Sequence, residues 1–205
     1  MIPFFVFLTL ICFYKIKTRK ILAFDWDLTL DHVSTPADED VVNTRIKILK
    51  DAGIDYANEK VYFIKLKIFL WIMIILDKIC FIDFIIVSRN RKANIQKILG
   101  WININSSLIK IIGINEENKI LSKAEIIDNY FHLSNTGSSK QFVLVDDSHG
   151  KENKEIERAA EYSRKNLIKY IPIHVKRCKR NAEYSEQGLL NQYKKILTVF
   201  WHIFF

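Results

Sequence analysis

The feature that most constrains the fold of this chain is the stretch Ile21-Leu22-Ala23-Phe24-Asp25-Trp26-Asp27-Leu28-Thr29-Leu30. Four apolar residues follow one another without polar alternation, the pattern of a strand buried on both faces of a parallel sheet, and they stop abruptly at a carboxylate. Ligands of such sheets bind beyond the carboxyl ends of the strands. Asp25 and Asp27, at alternate positions, are therefore delivered to the place where a sheet of this kind does its chemistry. Two acids so close repel one another unless a cation or a shared proton compensates, and a hard divalent cation suits carboxylate oxygen.

The same punctuation recurs along the chain. Apolar residues 84–87 end in Ser88, residues 108–112 precede Gly113, residues 142–145 end in Asp146-Asp147, and residues 171–175 read as a fifth strand. Helical patterns lie between them. In residues 41–52, Val42, Ile46 and Leu49 recur at helical spacing and Gly53 stands where a C-cap belongs. Residues 119–131 and 151–167 also read as helices, the latter with Ile156, Ala159, Ala160 and Leu167 on its inner side. This alternation predicts an α/β fold, a Rossmann-like parallel sheet with helices on both faces. Residues 61–78, dense in Ile, Leu, Phe and Trp, are too long for a strand and read as a buried helix or a hairpin cover. Lys65, Lys67 and Asp77 within them argue against a membrane span.

The segment from Ile21 to Leu30 resembles motif I of the haloacid dehalogenase (HAD) superfamily, a hydrophobic strand followed by Asp-x-Asp-x-Thr. The other motifs of that family follow in order. Ser88 is similar to the motif II residue that hydrogen-bonds a phosphoryl oxygen. Lys123 is similar to the motif III lysine, with Lys119 as a rival. Val143-Leu144-Val145-Asp146-Asp147-Ser148 resembles motif IV. Receiver domains also carry an Asp pair at a strand end, but after the first strand, whereas here the pair comes last.

The resemblance spans residues 21–175 and implies a HAD-like fold with a small cap or none, in which the strand before Asp25 is central and is flanked by those before Ser88 and Asp146. It implies a Mg²⁺-dependent phosphatase with Asp25 as nucleophile and Asp27 as general acid/base. Thr29, Ser88 and Lys123 would bind the phosphate, and Asp25, Asp27 and Asp146 the metal. Asp147 would hold a metal-bound water or a backbone amide. The presence of Asp27 speaks against the dehalogenase branch. The rival from another class is a catalytically idle relative used as a binding or scaffold protein.

At 205 residues the chain suits one domain with small additions. Residues 1–20 form an apolar extension, 21–180 the phosphatase-like domain with an insertion at about 54–81, and 181–205 a helical tail. Residues 2–14 are almost wholly apolar but short for a membrane span. A membrane anchor, a packed helix and a non-native extension stay open for them; as an anchor, the basic residues that follow would keep the domain cytoplasmic.

The formal charge of +8 favours an anionic substrate, but the basic residues are dispersed, and only Lys176, Arg177, Lys179 and Arg180 form a run. The charge is therefore discounted as a signal, with nucleic acid a minor alternative, and it is the resemblance that implies a phosphorylated small molecule or macromolecular end as partner. Cys12, Cys80 and Cys178 match no metal-ligand spacing and indicate reduced thiols of a cytoplasmic protein.

Overall fold

The apolar run before Asp25 forms the middle of the molecule. The computed structural model describes residues 20–27, 29–31, 39–51, 56–79, 82–115, 117–133, 141–147 and 154–175. Strand β1 (Lys20–Phe24) buries Ile21, Leu22, Ala23 and Phe24. It pairs in parallel with β2 (Ile82–Val87) on one side and β4 (Gln141–Asp146) on the other. Strand β3 (Lys110–Ile112) extends the sheet beyond β2, and β5 (Lys169–His174) beyond β4. The order β3-β2-β1-β4-β5 sets the strands that end at Asp25, Ser88 and Asp146 side by side, as the family resemblance implies.

Parallel neighbours need crossover connections, and helices α1 (Val41–Asp51), α2 (Tyr56–Ile79), α3 (Lys92–Trp101), α4 (Lys123–Phe131) and α5 (Glu155–Lys165) lie in them. Side chains of β1 alternate between two cores. Leu22 and Phe24 join Leu66, Phe69 and Leu70 of α2 with Ile95, Ile98 and Leu99 of α3. Ile21 and Ala23 join Ala124, Ile127 and Phe131 of α4 with Ala159 of α5. The sheet is therefore covered on both faces. Phe24 meets Phe69 and Phe84 edge-on, each at 5.6 Å between centroids. Truncating it to Ala would cost about 3–5 kcal/mol.

Residues 61–78 belong to one long helix, not a hairpin. Leu66, Phe69, Leu70, Met73 and Ile74 bury one side of α2 against the sheet, while Ile64, Ile68, Trp71, Ile72 and Ile75 face outward. Its core-facing side thus adds a layer of core over the sheet. Near its end, Asp77 Oδ1 accepts the Phe84 N–H at 2.7 Å, tying α2 to β2.

Other boundaries move for local reasons. Residues 106–108 form a 3₁₀ turn started by the Asn105 side chain, which accepts the Ser107 N–H, so β3 begins only at Lys110. Helix α5 starts at Glu155, with Lys154 outside it, and Leu167 lies beyond its end with φ 54° and 94% exposure. Helix α1 buries Val41, Arg45 and Leu49, a stripe turned one residue from the expected Val42, Ile46 and Leu49. Helix α3 is an addition to the sequence reading. No helix among the described residues is long and apolar enough to cross a membrane. Residues 2–14, the basic run from Lys176 and the tail at 181–205 lie outside the described residues.

Candidate active site

Backbone pairing carries past the strand ends into the residues that matter. The Asp25 N–H donates to the Val145 carbonyl at 2.9 Å, the Ser88 N–H to Ile112 at 3.0 Å, and the Val175 N–H to Asp146 at 3.0 Å. Asp25, Ser88 and Asp146 are thus held by the sheet itself, and all three are buried.

Lys123 reaches them from α4. The Ser122 hydroxyl accepts the Glu125 N–H and the Glu125 carboxylate accepts the Ser122 N–H, a capping box that makes Lys123 the first residue of the helix. A cap of this kind contributes about 1 kcal/mol. The sequence reading began this helix at Lys119, which instead lies in the preceding turn. Buried Glu155, at the start of α5, accepts the Lys123 N–H at 2.5 Å and pairs with Arg89 at 2.5 Å. Arg89 also donates to the carbonyls of Lys119 and Leu121. So fixed, the buried Lys123 ammonium lies 2.8 Å from Asp25 Oδ1 and 2.6 Å from Asp146 Oδ2.

Asp25, Asp146 and Asp147 each offer a carboxylate oxygen, and these oxygens lie within 4.8 Å of one another. All three residues are buried. This is an all-oxygen donor set with more negative charge than Lys123 neutralises, and it could hold a hard divalent cation. Asp147, expected from sequence to act beside the metal ligands, stands among the converging carboxylates. Asp27 stands outside that group; its Oδ2 accepts the Ser88 hydroxyl at 3.2 Å.

Burial pushes the Asp25 carboxyl up to about 8 despite the pull of Lys123, with Asp146 and Asp27 adding to the rise. Burial also works against the Lys123 charge, but Asp25 and Asp146 outweigh it and hold the ammonium above its ordinary value. Lys123 is therefore charged throughout the neutral range.

The turn after Asp25 has its own scaffold. The Trp26 carbonyl accepts the N–H groups of Thr29, Leu30 and Asp31 at 3.4, 3.1 and 2.8 Å. Trp26 is fully buried, and Thr29 is buried as well. Beyond the turn, Asp31 pairs with Arg45 of α1 through two hydrogen bonds, 2.5 and 2.8 Å, both side chains fully buried.

The geometry thus brings Asp25, Asp27, Ser88, Lys123, Asp146 and Asp147 together. Sequence reasoning missed Asp31, Arg45, Arg89 and Glu155. For Glu155 the local contact to Arg158 says nothing of the site, since the partners there, Lys123 and Arg89, lie 32 and 66 residues away.

Neither the protein-family models nor the curated proteins give a match to this chain. Among solved structures, the HAD domain of the effector protein Lem4 from Legionella pneumophila matches with a TM-score of 0.52 at 16% identity, over 89% of this chain and 95% of that one. An inactive mutant of the same domain matches with a TM-score of 0.51 at 15% identity, over 88% and 94%. The fold of this chain is HAD-like. At such identity the likeness speaks for the fold alone.

Proposed function

We propose that the chain is a Mg²⁺-dependent hydrolase of phosphate monoesters that works through an aspartyl-phosphate on Asp25. The observation that carries this reading is the buried Lys123 ammonium between Asp25 at 2.8 Å and Asp146 at 2.6 Å. A fixed cation beside a nucleophilic oxygen is what a transferring phosphoryl group needs. Asp25 attacks phosphorus, and Lys123 and the Ser88 hydroxyl donate to phosphoryl oxygens. Thr29 is proposed as a further phosphate ligand. Asp27, beside Ser88 and less buried than Asp25, protonates the departing oxygen and then takes a proton from the water that hydrolyses the intermediate.

Asp25, Asp146 and Asp147 would hold the metal, which leaves the Asp27 carboxylate to proton transfer rather than ligation. Bound there, Mg²⁺ supplies positive charge that keeps Asp25 ionised and neutralises phosphoryl oxygen. The substrate is taken to be a phosphorylated small molecule or macromolecular end. Membrane attachment through residues 2–14 is the accompanying proposal for where the protein acts, and a truncated chain that pellets like the full one would dismiss it.

The test is turnover of an aryl phosphate with and without Mg²⁺. EDTA should abolish it, and Asp25→Asn should remove both turnover and trapped phospho-enzyme. Asp27→Asn should let aspartyl-phosphate accumulate from an activated ester. Full activity in Asp25→Asn, or metal-independent turnover, sinks the proposal; no turnover of any phosphomonoester leaves the idle binding protein as the better reading.

A further inference from the structure

Asp27 sits in a turn, and a group that must move a proton to a leaving oxygen needs its place fixed to a fraction of an ångström. Its neighbour Asp25 is held by the sheet through the hydrogen bond to Val145. On the other side of the turn, Asp31 forms an isolated β-bridge with Asp27 itself, and its N–H closes the turn on the Trp26 carbonyl. The Asp31 carboxylate is gripped by both terminal nitrogens of Arg45, at 2.5 and 2.8 Å, with neither side chain exposed. The Arg45 guanidinium in turn lies 5.0 Å from the centroid of the Phe63 ring on α2.

We infer that Arg45 is a positioning residue for Asp27, acting through the Asp31 carboxylate that closes the turn. Two facts separate this from ordinary stabilisation. A buried ion pair gives little net stability relative to an apolar pair of similar volume, because desolvation offsets the attraction. What a two-pronged guanidinium-carboxylate contact does supply is orientation, fixing the plane and direction of the carboxylate. Helix α1 provides the lever. Val41 and Leu49 anchor it in the core on the same stripe as Arg45, so the guanidinium holds Asp31 against a rigid element. Once a phosphoryl oxygen takes the Ser88 proton, two supports of Asp27 remain: the sheet through Asp25 and the bridge to a clamped Asp31.

The inference rests on the proposed role of Asp27, so its test separates the two. Arg45→Met combined with Asp31→Leu removes both charges together and keeps a filled core, while Arg45→Lys keeps the charge but loses the fork. The readout is the contrast between an activated aryl phosphate, whose leaving group needs no protonation, and an alkyl phosphate, whose leaving group does. In both variants phospho-enzyme formation from the aryl ester should stay within about twofold of wild type, while alkyl-ester cleavage and aspartyl-phosphate hydrolysis fall about 10- to 100-fold. Equal losses on both esters after correction for folded fraction, or an Arg45→Lys variant that matches wild type, would overturn the inference. If the wild type hydrolyses no phosphate ester, the proposed function fails while the clamp can still be read by amide hydrogen exchange. The amides of Thr29, Leu30 and Asp31 should then exchange about tenfold or more faster in the double variant, with Leu22 and Val143 unchanged. Unchanged exchange at the turn would dismiss the clamp as well.

Discussion

Two buried charge clusters stand at the two ends of the segment from Asp25 to Asp31, and they are built on opposite principles. At Asp31 one carboxylate meets one guanidinium, and the charges cancel. At Asp25 the Lys123 ammonium lies against two carboxylates, Asp25 and Asp146, and the Asp147 carboxylate converges on the same place, so this ammonium does not cancel their charge. Burial penalises uncompensated charge, so the first cluster is complete as it stands, whereas the second gains stability in its ionised form from a further cation. An excess of like charge retained in a buried place marks a site that expects a partner.

The largest effect expected from this contrast is on turnover. Lys123→Met removes the ammonium between Asp25 and Asp146 and should lower kcat by about 10²–10³, the range for losing one preorganised charge donor. The same variant should be stabilised more strongly than wild type by saturating Mg²⁺ in thermal melts, because a repelling charge has gone. A weaker Mg²⁺ effect would break the comparison.

Next comes the balanced cluster. Arg45→Met alone strands Asp31 in the core and should cost about 3–5 kcal/mol in chemical denaturation, most of it recovered when Asp31→Leu is added. Neither change should alter the stabilisation by Mg²⁺. A single variant no less stable than the double would show that the pair is not a closed unit.

A smaller effect lies in pH. Burial raises Asp25 from 3.8 to about 8 in the metal-free protein, so the folded state binds this proton more tightly than the unfolded chain. The stability it contributes is full below pH 3.8 and is lost as pH climbs through about 8. Melting temperature without metal, taken as wild type minus Asp25→Asn, should therefore fall across that window. Mg²⁺ binding in calorimetry should release a proton near neutrality, and binding without proton release would contradict the raised value. The smallest effect belongs to a pair outside both clusters: Glu161→Ala breaks an exposed contact to Lys165 and should leave the melting temperature within error of wild type.

The parts of this architecture that were legible in the sequence are those whose cause is local. Residues 21–24, 84–87 and 142–145 could be read as strands because burial on both faces demands an unbroken apolar run, and the polar residue that ends each run marks the open edge of the sheet. Two signals were present and passed over. Ile95, Ile98 and Leu99 repeat at helical spacing within α3, and the Ser122-x-x-Glu125 box names the true start of α4 better than Lys119 does. Arg45 is different in kind. A stripe of Val42, Ile46 and Leu49 is the sensible apolar face of α1. The helix turns by one position because a buried arginine is tolerable when Asp31, 14 residues earlier, is there to meet it. No periodicity encodes that meeting. Asp147 was likewise named from sequence, but only folding reveals that its carboxylate converges with those of Asp25 and Asp146.

The parallel pairing of β1 with β2, which ends with Phe24 opposite Ile86, makes the separation of Asp25 and Ser88 a property of the main chain, built on the roughly 4.8 Å interval between paired strands. Side chains and loops around them can be exchanged without altering that interval. Specificity and reactivity are in this sense written in separate places: segments grafted after Leu30 or after Ser88 would present the pair to new ligands while leaving its spacing as the sheet dictates.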